Sequence, residues 1–412
     1  MFSQKCVEFE NKIFDFVKKY IIPISFVIIT IFAICARIPL LNFETWDYTG
    51  FLKQWFDTIV ANGKIHSLDM AIGDYNCPYI IILTLFTYLP ISPLYSIKIF
   101  SIIFDFVLAI SSVILVNKLT EKKKYNNIIS LLTYGLVLFA PTVLLNSACW
   151  AQCDSIYISF IIISLIFLID EKYIRSLIFL GISFAFKLQF VFILPLYVLV
   201  WMNKRKFPLF YFGIIPIVDL VMCLPSIIFG RPIKEVIMIY INQMGSYSSY
   251  TSNNFPSIYN LFCELTEKSE ALAINNLDVG KIGIIITISI YAIMAIYLIY
   301  KNIKLSKKEI IKLGLWSVII ATFFMPNMHD RYMFLADVLS LIVFMTFKDK
   351  QSLIYAIIIN LNSVSVYIRY LFGVEFINIQ IATILQFIVV IGMTYYLHKD
   401  FVVVKCKGEV KE

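Results

Sequence analysis

The stretch YIIPISFVIITIFAICARIPL at residues 20–40, entered from Lys18-Lys19, decides the fold class. About 20 predominantly apolar residues make one helix long enough to cross a bilayer. The two lysines before it place its start in the cytoplasm, because basic loop residues favour that side. Similar runs recur at 98–117, 126–146, 153–169, 207–227, 282–300, 311–327, 332–347, 352–370 and 379–398. Of the 412 residues 60% are hydrophobic and 15% charged, with mean hydropathy +0.83; a soluble domain is about a quarter charged. The period-2 alternation of an outer-membrane barrel is absent. The chain reads as an all-α, polytopic integral membrane protein.

Basic clusters set the threading. Glu121-Lys-Lys-Lys124, Asp170 to Arg175, Lys204-Arg-Lys206, Lys301 to Lys312 and Lys348-Asp-Lys350 fall at cytoplasmic ends. Residues 1–19 are expected to form a retained cytoplasmic extension. Residues 20–398 form the membrane domain, with external loops 41–92 and 230–280, and 399–412 form a cytoplasmic tail. The stretch 176–203 begins and ends at basic residues, with arms too short for two ordinary spans, so a re-entrant hairpin is expected with Lys187 and Gln189 near its tip. The apolar piece 77–91 is short and ends at Pro90, which predicts an interfacial segment. The sum is about twelve transmembrane or re-entrant helices with both termini inside. The net charge of +8 thus reports orientation and membrane lipids, not nucleic acid.

Eight cysteines form no CxxC pair and no zinc-like spacing, so they read as small apolar residues. No glycine-rich phosphate loop, HExxH or GxSxG is present. No metal and no cofactor is therefore expected, and no serine nucleophile.

The chemically capable residues gather on the outer side. Phe43-Glu-Thr-Trp-Asp47-Tyr opens the first external loop. Phe51, Trp55 and Ile59 share a helical face that is expected to lie along the membrane. Asp47 at a cavity mouth can act as a general base on a sugar hydroxyl; taken alone it reads as a solvated loop acid or a helix N-cap. Asp74, before Pro78, either organises a turn or binds acceptor hydroxyls. Trp150, Gln152 and Asp154 resemble a sugar-binding ledge, a ring to stack on beside groups for hydroxyls; Asp154 at a helix start is also favoured by the helix dipole. Lys187 is the one charge between 176 and 200, so it must find an anion, either Asp154 or a lipid phosphate. In Met328-His329-Asp330-Arg331-Tyr332 two potential cations flank a carboxylate, an arrangement suited to gripping phosphate. Asp105, Asp219 and Asp337 lie inside spans and are expected to pair with Lys98, Lys187 or Arg331, or to line a cavity.

These residues resemble a known family, the GT-C superfamily of glycosyltransferases that use polyprenyl-phosphate sugars. The nearest group is similar to the bacterial relatives of the second mannosyltransferase of GPI-anchor synthesis. The likeness is carried, in order over roughly 40–345, by Trp46-Asp47-Tyr48 with Gln54-Trp55, Asp74-Tyr75 with Pro78, and Asn146-Ser-Ala-Cys-Trp150-Ala-Gln-Cys-Asp154-Ser. Phe184-Ala-Phe-Lys187-Leu-Gln189, Asn254-Phe-Pro256-Ser-Ile-Tyr-Asn260 and Pro326-Asn-Met-His329-Asp-Arg-Tyr332-Met-Phe-Leu-Ala-Asp337 complete it. The family usually has glycine where this chain has Ala151, and glutamate where it has Asp330. The resemblance implies an inverting transfer of a hexose, mannose for example, from a polyprenyl-phosphate donor to a glycan or lipid-linked acceptor. Asp47 would be the base, Lys187, His329 and Arg331 would hold the donor phosphate, and Asp74, Trp150, Gln152, Asp154, Gln189 and Asp330 would contact substrate. The rival reading is a transporter or flippase of a lipid-linked glycan or small solute. Transporters tend to carry internal repeats and midplane polar groups, whereas here the polar groups sit near span ends. A third reading, a non-catalytic lipid-binding protein, would tolerate loss of Asp47.

Overall fold

The computed structural model describes residues 2–120, 126–246, 251–262, 273–274 and 277–409. It is 81% helical, nearly all-α. The basic run 122–124 and much of the segment 230–280 between 247 and 276 lie outside the described residues. The first half runs α1 (Phe2–Arg37), α2 (Lys53–Ala61), α3 (Cys77–Phe86), α4 (Pro93–Thr120), α5 (Asn126–Leu138), α6 (Pro141–Leu144), α7 (Asp154–Ile169) and α8 (Tyr173–Phe186). The second half runs α9 (Leu194–Lys204), α10 (Ile214–Ile228), α11 (Ile233–Ser246), α12 (Val279–Tyr300), α13 (Lys307–Phe324), α14 (Phe334–Phe347), α15 (Lys350–Phe372) and α16 (Ile379–Glu409). The strand Ser252–Asn253 pairs in parallel with Met328–His329.

Six helical stretches are long and apolar enough to cross a membrane: Val7–Leu40, Pro93–Thr120, Leu209–Ile228, Val279–Tyr300, Lys350–Phe372 and Ile379–Val402. A seventh, Asn127–Leu138 with Pro141–Cys149, bends by 51° at Pro141, whose ring and missing N–H interrupt the helical ladder. The twelve expected crossings are therefore not all of full length: five further apolar helices have 10–17 residues, and α13, of 18 residues, begins with Lys307, Lys308, Glu309 and Lys312. The expected hairpin at 176–203 is a helix broken at Lys187, which is extended at φ −153° and ψ 136°.

α7 is buried on nearly all sides and packs between α4 and α8; α13 to α16 form a second group, joined to the first by α14 against α4 and α5. Small residues permit this closeness and bond across it. The Ser164 hydroxyl, for example, meets the Ser176 carbonyl (2.6 Å) and Tyr197 (2.5 Å). Arg37 makes the main polar node. Its guanidinium donates to Asp105 (3.0 Å) and to the carbonyls of Ala33 and Leu138 (3.0 Å each). Ser147 and Ser155 donate to the same carboxylate at 2.5 Å. One buried ion pair thus ties α1, α4, α5 and both sides of the Trp150 turn together.

Several local expectations are corrected. Asp105 pairs with Arg37, Asp219 accepts from Asn76 (2.8 Å) and Asp337 from Ser363 (2.8 Å), so none pairs with Lys98, Lys187 or Arg331. The segment 77–86 is mostly buried, not laid flat at a surface; Asn76 caps it and it packs on α10. In the first loop the buried stripe is Tyr48, Leu52, Phe56 and Ile59, while Phe51 is exposed and Trp55 half-buried. That stripe keeps the i, i+4, i+8, i+11 spacing of one helical face, one position round from Phe51 and Trp55; a π-turn over Tyr48–Leu52 leads into α2.

Candidate active site

Two π-helical turns, Tyr48–Leu52 and Leu145–Cys149, flank the same point from different parts of the chain. Single π-turns inside helices are frequent at functional sites because they re-aim side chains. The chain leading to Asp47 is held from below by Lys98 of α4, whose ammonium donates to the carbonyls of Leu40 (2.9 Å), Leu41 (3.1 Å) and Phe43 (2.6 Å). The Thr45 hydroxyl donates to the Trp150 carbonyl (3.2 Å), which clamps the two turns together.

Asp47 is the hub. Its Oδ2 accepts from Trp150 Nε1 (2.9 Å) and Gln152 Nε2 (2.8 Å), and its Oδ1 accepts from the Tyr370 hydroxyl (2.6 Å). The side chain is 15% exposed, and Arg331 Nη2 lies 3.8 Å from Oδ2. It makes no side-chain cap bond to the following turn, so the N-cap reading does not apply. Three neutral donors fix the carboxylate, and Oδ1 retains a lone pair for a fourth partner.

Trp150 and Gln152 therefore hold the carboxylate and do not present a ledge. Trp150 is fully buried, stacked on Tyr370 at 4.3 Å and edge-on to Tyr367 at 5.0 Å, which leaves no face for a sugar. Gln152 accepts from the Tyr75 hydroxyl (3.1 Å) while donating to Asp47. Between them Ala151 adopts φ +61°, the left-handed conformation in which a Cβ is strained.

Asp154, the first residue of α7, pairs with Lys187 and also accepts from Asn146 Nδ2 (2.7 Å). Both charges are buried, and the break of α8 at Lys187 brings them together. Gln189, half-buried in the turn that follows, neighbours the Tyr332 hydroxyl.

The turn 328–333 supplies the remaining groups. The Arg331 guanidinium lies 5.1 Å over the Trp150 ring and 3.7 Å from Asp330, and its buried Nε and Nη1 have no hydrogen-bond partner. Burial, with Arg331 and Lys187 nearby, holds the His329 imidazole down at about 4. The expected histidine cation is thus a neutral ring at physiological pH, 3.5 Å from Asn253 Nδ2. Burial also pushes the Asp330 carboxyl up to about 7, with Arg331 opposing.

Asp74 is the expected residue that stays outside this cluster. It lines a separate cavity of about 590 Å³ with Arg231, Lys234 and Glu235. Residues absent from the expected set complete the site. Tyr370, Asn146, Tyr75 and Lys98 each contact it. Asn146 and Tyr75 stand within the motifs, whereas Tyr370 at the end of a span reads as an ordinary interfacial tyrosine.

No protein-family model matches the chain, and no curated protein matches it in sequence.

Proposed function

We propose that the protein is a membrane glycosyltransferase of GT-C type that moves a hexose from a polyprenyl-phosphate donor to an acceptor hydroxyl at the outer face, with inversion. The observation that carries the reading is a single fixed carboxylate with an incompletely bonded arginine beside it: Asp47 held by Trp150, Gln152 and Tyr370, with Arg331 at 3.8 Å. Asp47 takes the proton from the acceptor hydroxyl as its oxygen attacks the anomeric carbon. The bond from that carbon to the phosphate oxygen breaks, and polyprenyl phosphate leaves with the electron pair. Its charge is met by Arg331 Nε and Nη1, the two donors without a hydrogen bond, placed before the reaction begins. Lys187 is already paired with Asp154 and His329 is neutral, so Arg331 carries the largest share of this task.

Asp47→Asn keeps the shape but not the basicity, and turnover is expected to fall by about 10²–10⁴-fold while donor binding survives. The check is release of polyprenyl phosphate from a lipid-phosphate sugar by purified protein in nanodiscs. Near-normal release in the variant removes Asp47 from the role. A preparation that never releases polyprenyl phosphate yet moves a glycan across liposomes favours the transporter.

A further inference from the structure

The cavity beside Asp74 has a chemistry of its own. It measures about 590 Å³ and is lined by Asp74, Arg231, Lys234, Glu235 and Gln243, among others. Arg231 is only 5% exposed. It spends one donor on Cys77 Sγ at 3.4 Å, and its Nε has no hydrogen-bond partner. Among the described residues no carboxylate lies within ion-pair distance of Arg231 or Lys234. A buried guanidinium donor left unbonded is costly, and a planar fork beside an ammonium suits a phosphate.

The helix that forms one wall tells what carries the phosphate. On α11, Lys234 and Glu235 line the cavity, while Ile233, Ile237 and Ile241 are 55%, 54% and 51% exposed at four-residue spacing. An apolar stripe on one side and charged groups on the other are the mark of a helix lying in a membrane interface. A hydrogen-bonded chain leads from beside the cavity to the Asp47 cluster. Tyr75, next to Asp74, donates to Gln152, which donates to Asp47.

We infer that this cavity is an anion subsite for a lipid-linked acceptor: Arg231 and Lys234 bind its phosphate, the isoleucine stripe of α11 meets its chain, and its hydroxyl end reaches toward Asp47. The acceptor role rests on the glycosyltransferase reading; the anion site does not.

The test is binding, read as thermal stabilisation of the whole protein in detergent by dihexanoyl phosphatidate, a soluble lipid phosphate, and by inorganic phosphate. Wild type is expected to bind the lipid phosphate saturably and at least tenfold more tightly than inorganic phosphate. Arg231→Gln should weaken that binding tenfold or more, with partial recovery in Arg231→Lys. Lys234→Gln, at an exposed position that does not endanger folding, should weaken it severalfold. Asp47→Asn should bind as wild type does, so a failed glycosyltransferase reading leaves this result standing. Equal affinity for the two ligands overturns the lipid assignment. Binding that survives in Arg231→Gln and Lys234→Gln but is lost in Arg331→Gln places the anion at the Asp47 cluster and overturns the site.

Discussion

Ala151 sits at φ +61°, one residue from each of two side chains that hold Asp47, and it stands where the resembling family usually has glycine. The substitution has a readable cost. A Cβ in the left-handed region is unfavourable by about 1–2 kcal/mol, and the freer unfolded chain of a glycine returns about 0.4–1 kcal/mol of that. Ala151→Gly is therefore expected to stabilise the protein by about 0.5–1 kcal/mol, raising Tm in detergent without lowering turnover. A fall in Tm contradicts the argument. The same turn shows what sequence hides at this scale. The cluster Trp150, Gln152, Asp154 is legible as functional, but whether an indole faces a sugar or a carboxylate depends on a contact 103 positions away.

His329 and Asp330 make opposite contributions to stability against pH. Asp330 has its folded value raised to about 7, so the folded state holds a proton that the unfolded state has lost; this stability is full below about 4 and is lost as pH rises to about 7. His329 has its value lowered to about 4, so its contribution is full above about 6.5 and is lost as pH falls toward 4. In wild type the two slopes oppose between about 4 and 6.5. Asp330→Asn should leave the histidine slope, with Tm rising over that range; His329→Gln should leave the acid slope, with Tm falling from about 4 to 7. Two variants with slopes of the same sign would count against the burial of one of the pair.

At the scale of elements, the site depends on a lysine that contacts none of the reacting groups. Lys98 binds three carbonyls of the segment entering Asp47, in effect a cap for a chain leaving the helix; the Leu40 carbonyl also accepts from the Phe43 N–H (3.2 Å). Each carbonyl left unsatisfied costs about 1–3 kcal/mol. Lys98→Met is expected to lower Tm and to reduce kcat about tenfold or more through a displaced carboxylate, with KM for the donor changed little. An unaltered kcat would show that the segment is held without it. Composition and proline placement make most helices legible, including the break at Lys187, where a lone charge must meet an anion. The π-turn at Tyr48–Leu52 is not legible, because apolar periodicity assumes 3.6 residues per turn; the buried face of the first loop lies one position round from Phe51 and Trp55 because this stretch is apolar on two neighbouring faces, and composition does not choose between them.

For the whole molecule, helix length and composition support six or seven full-length crossings, and the proposed outer site depends on the sidedness expected from the basic clusters. Asp69 and Lys307 are both exposed and fall on opposite sides in that scheme. In a cysteine-free background, Asp69→Cys should react with an impermeant thiol reagent in intact cells and Lys307→Cys should not. Labelling at 307 alone reverses the orientation. Hydropathy alone does not separate a crossing from a buried helix such as α7, which is as apolar as a lipid-facing one.

Tyr370 donates to a residue 323 positions earlier in the chain. A ribosome feeding this protein into a membrane has thus long finished Asp47 before the last of its three donors is made. Until α15 is in place, Trp150 lacks its stacking partner and the carboxylate lacks one of its holders. A product truncated before residue 370 lacks one of the three donors that fix Asp47 and the ring stacked on Trp150.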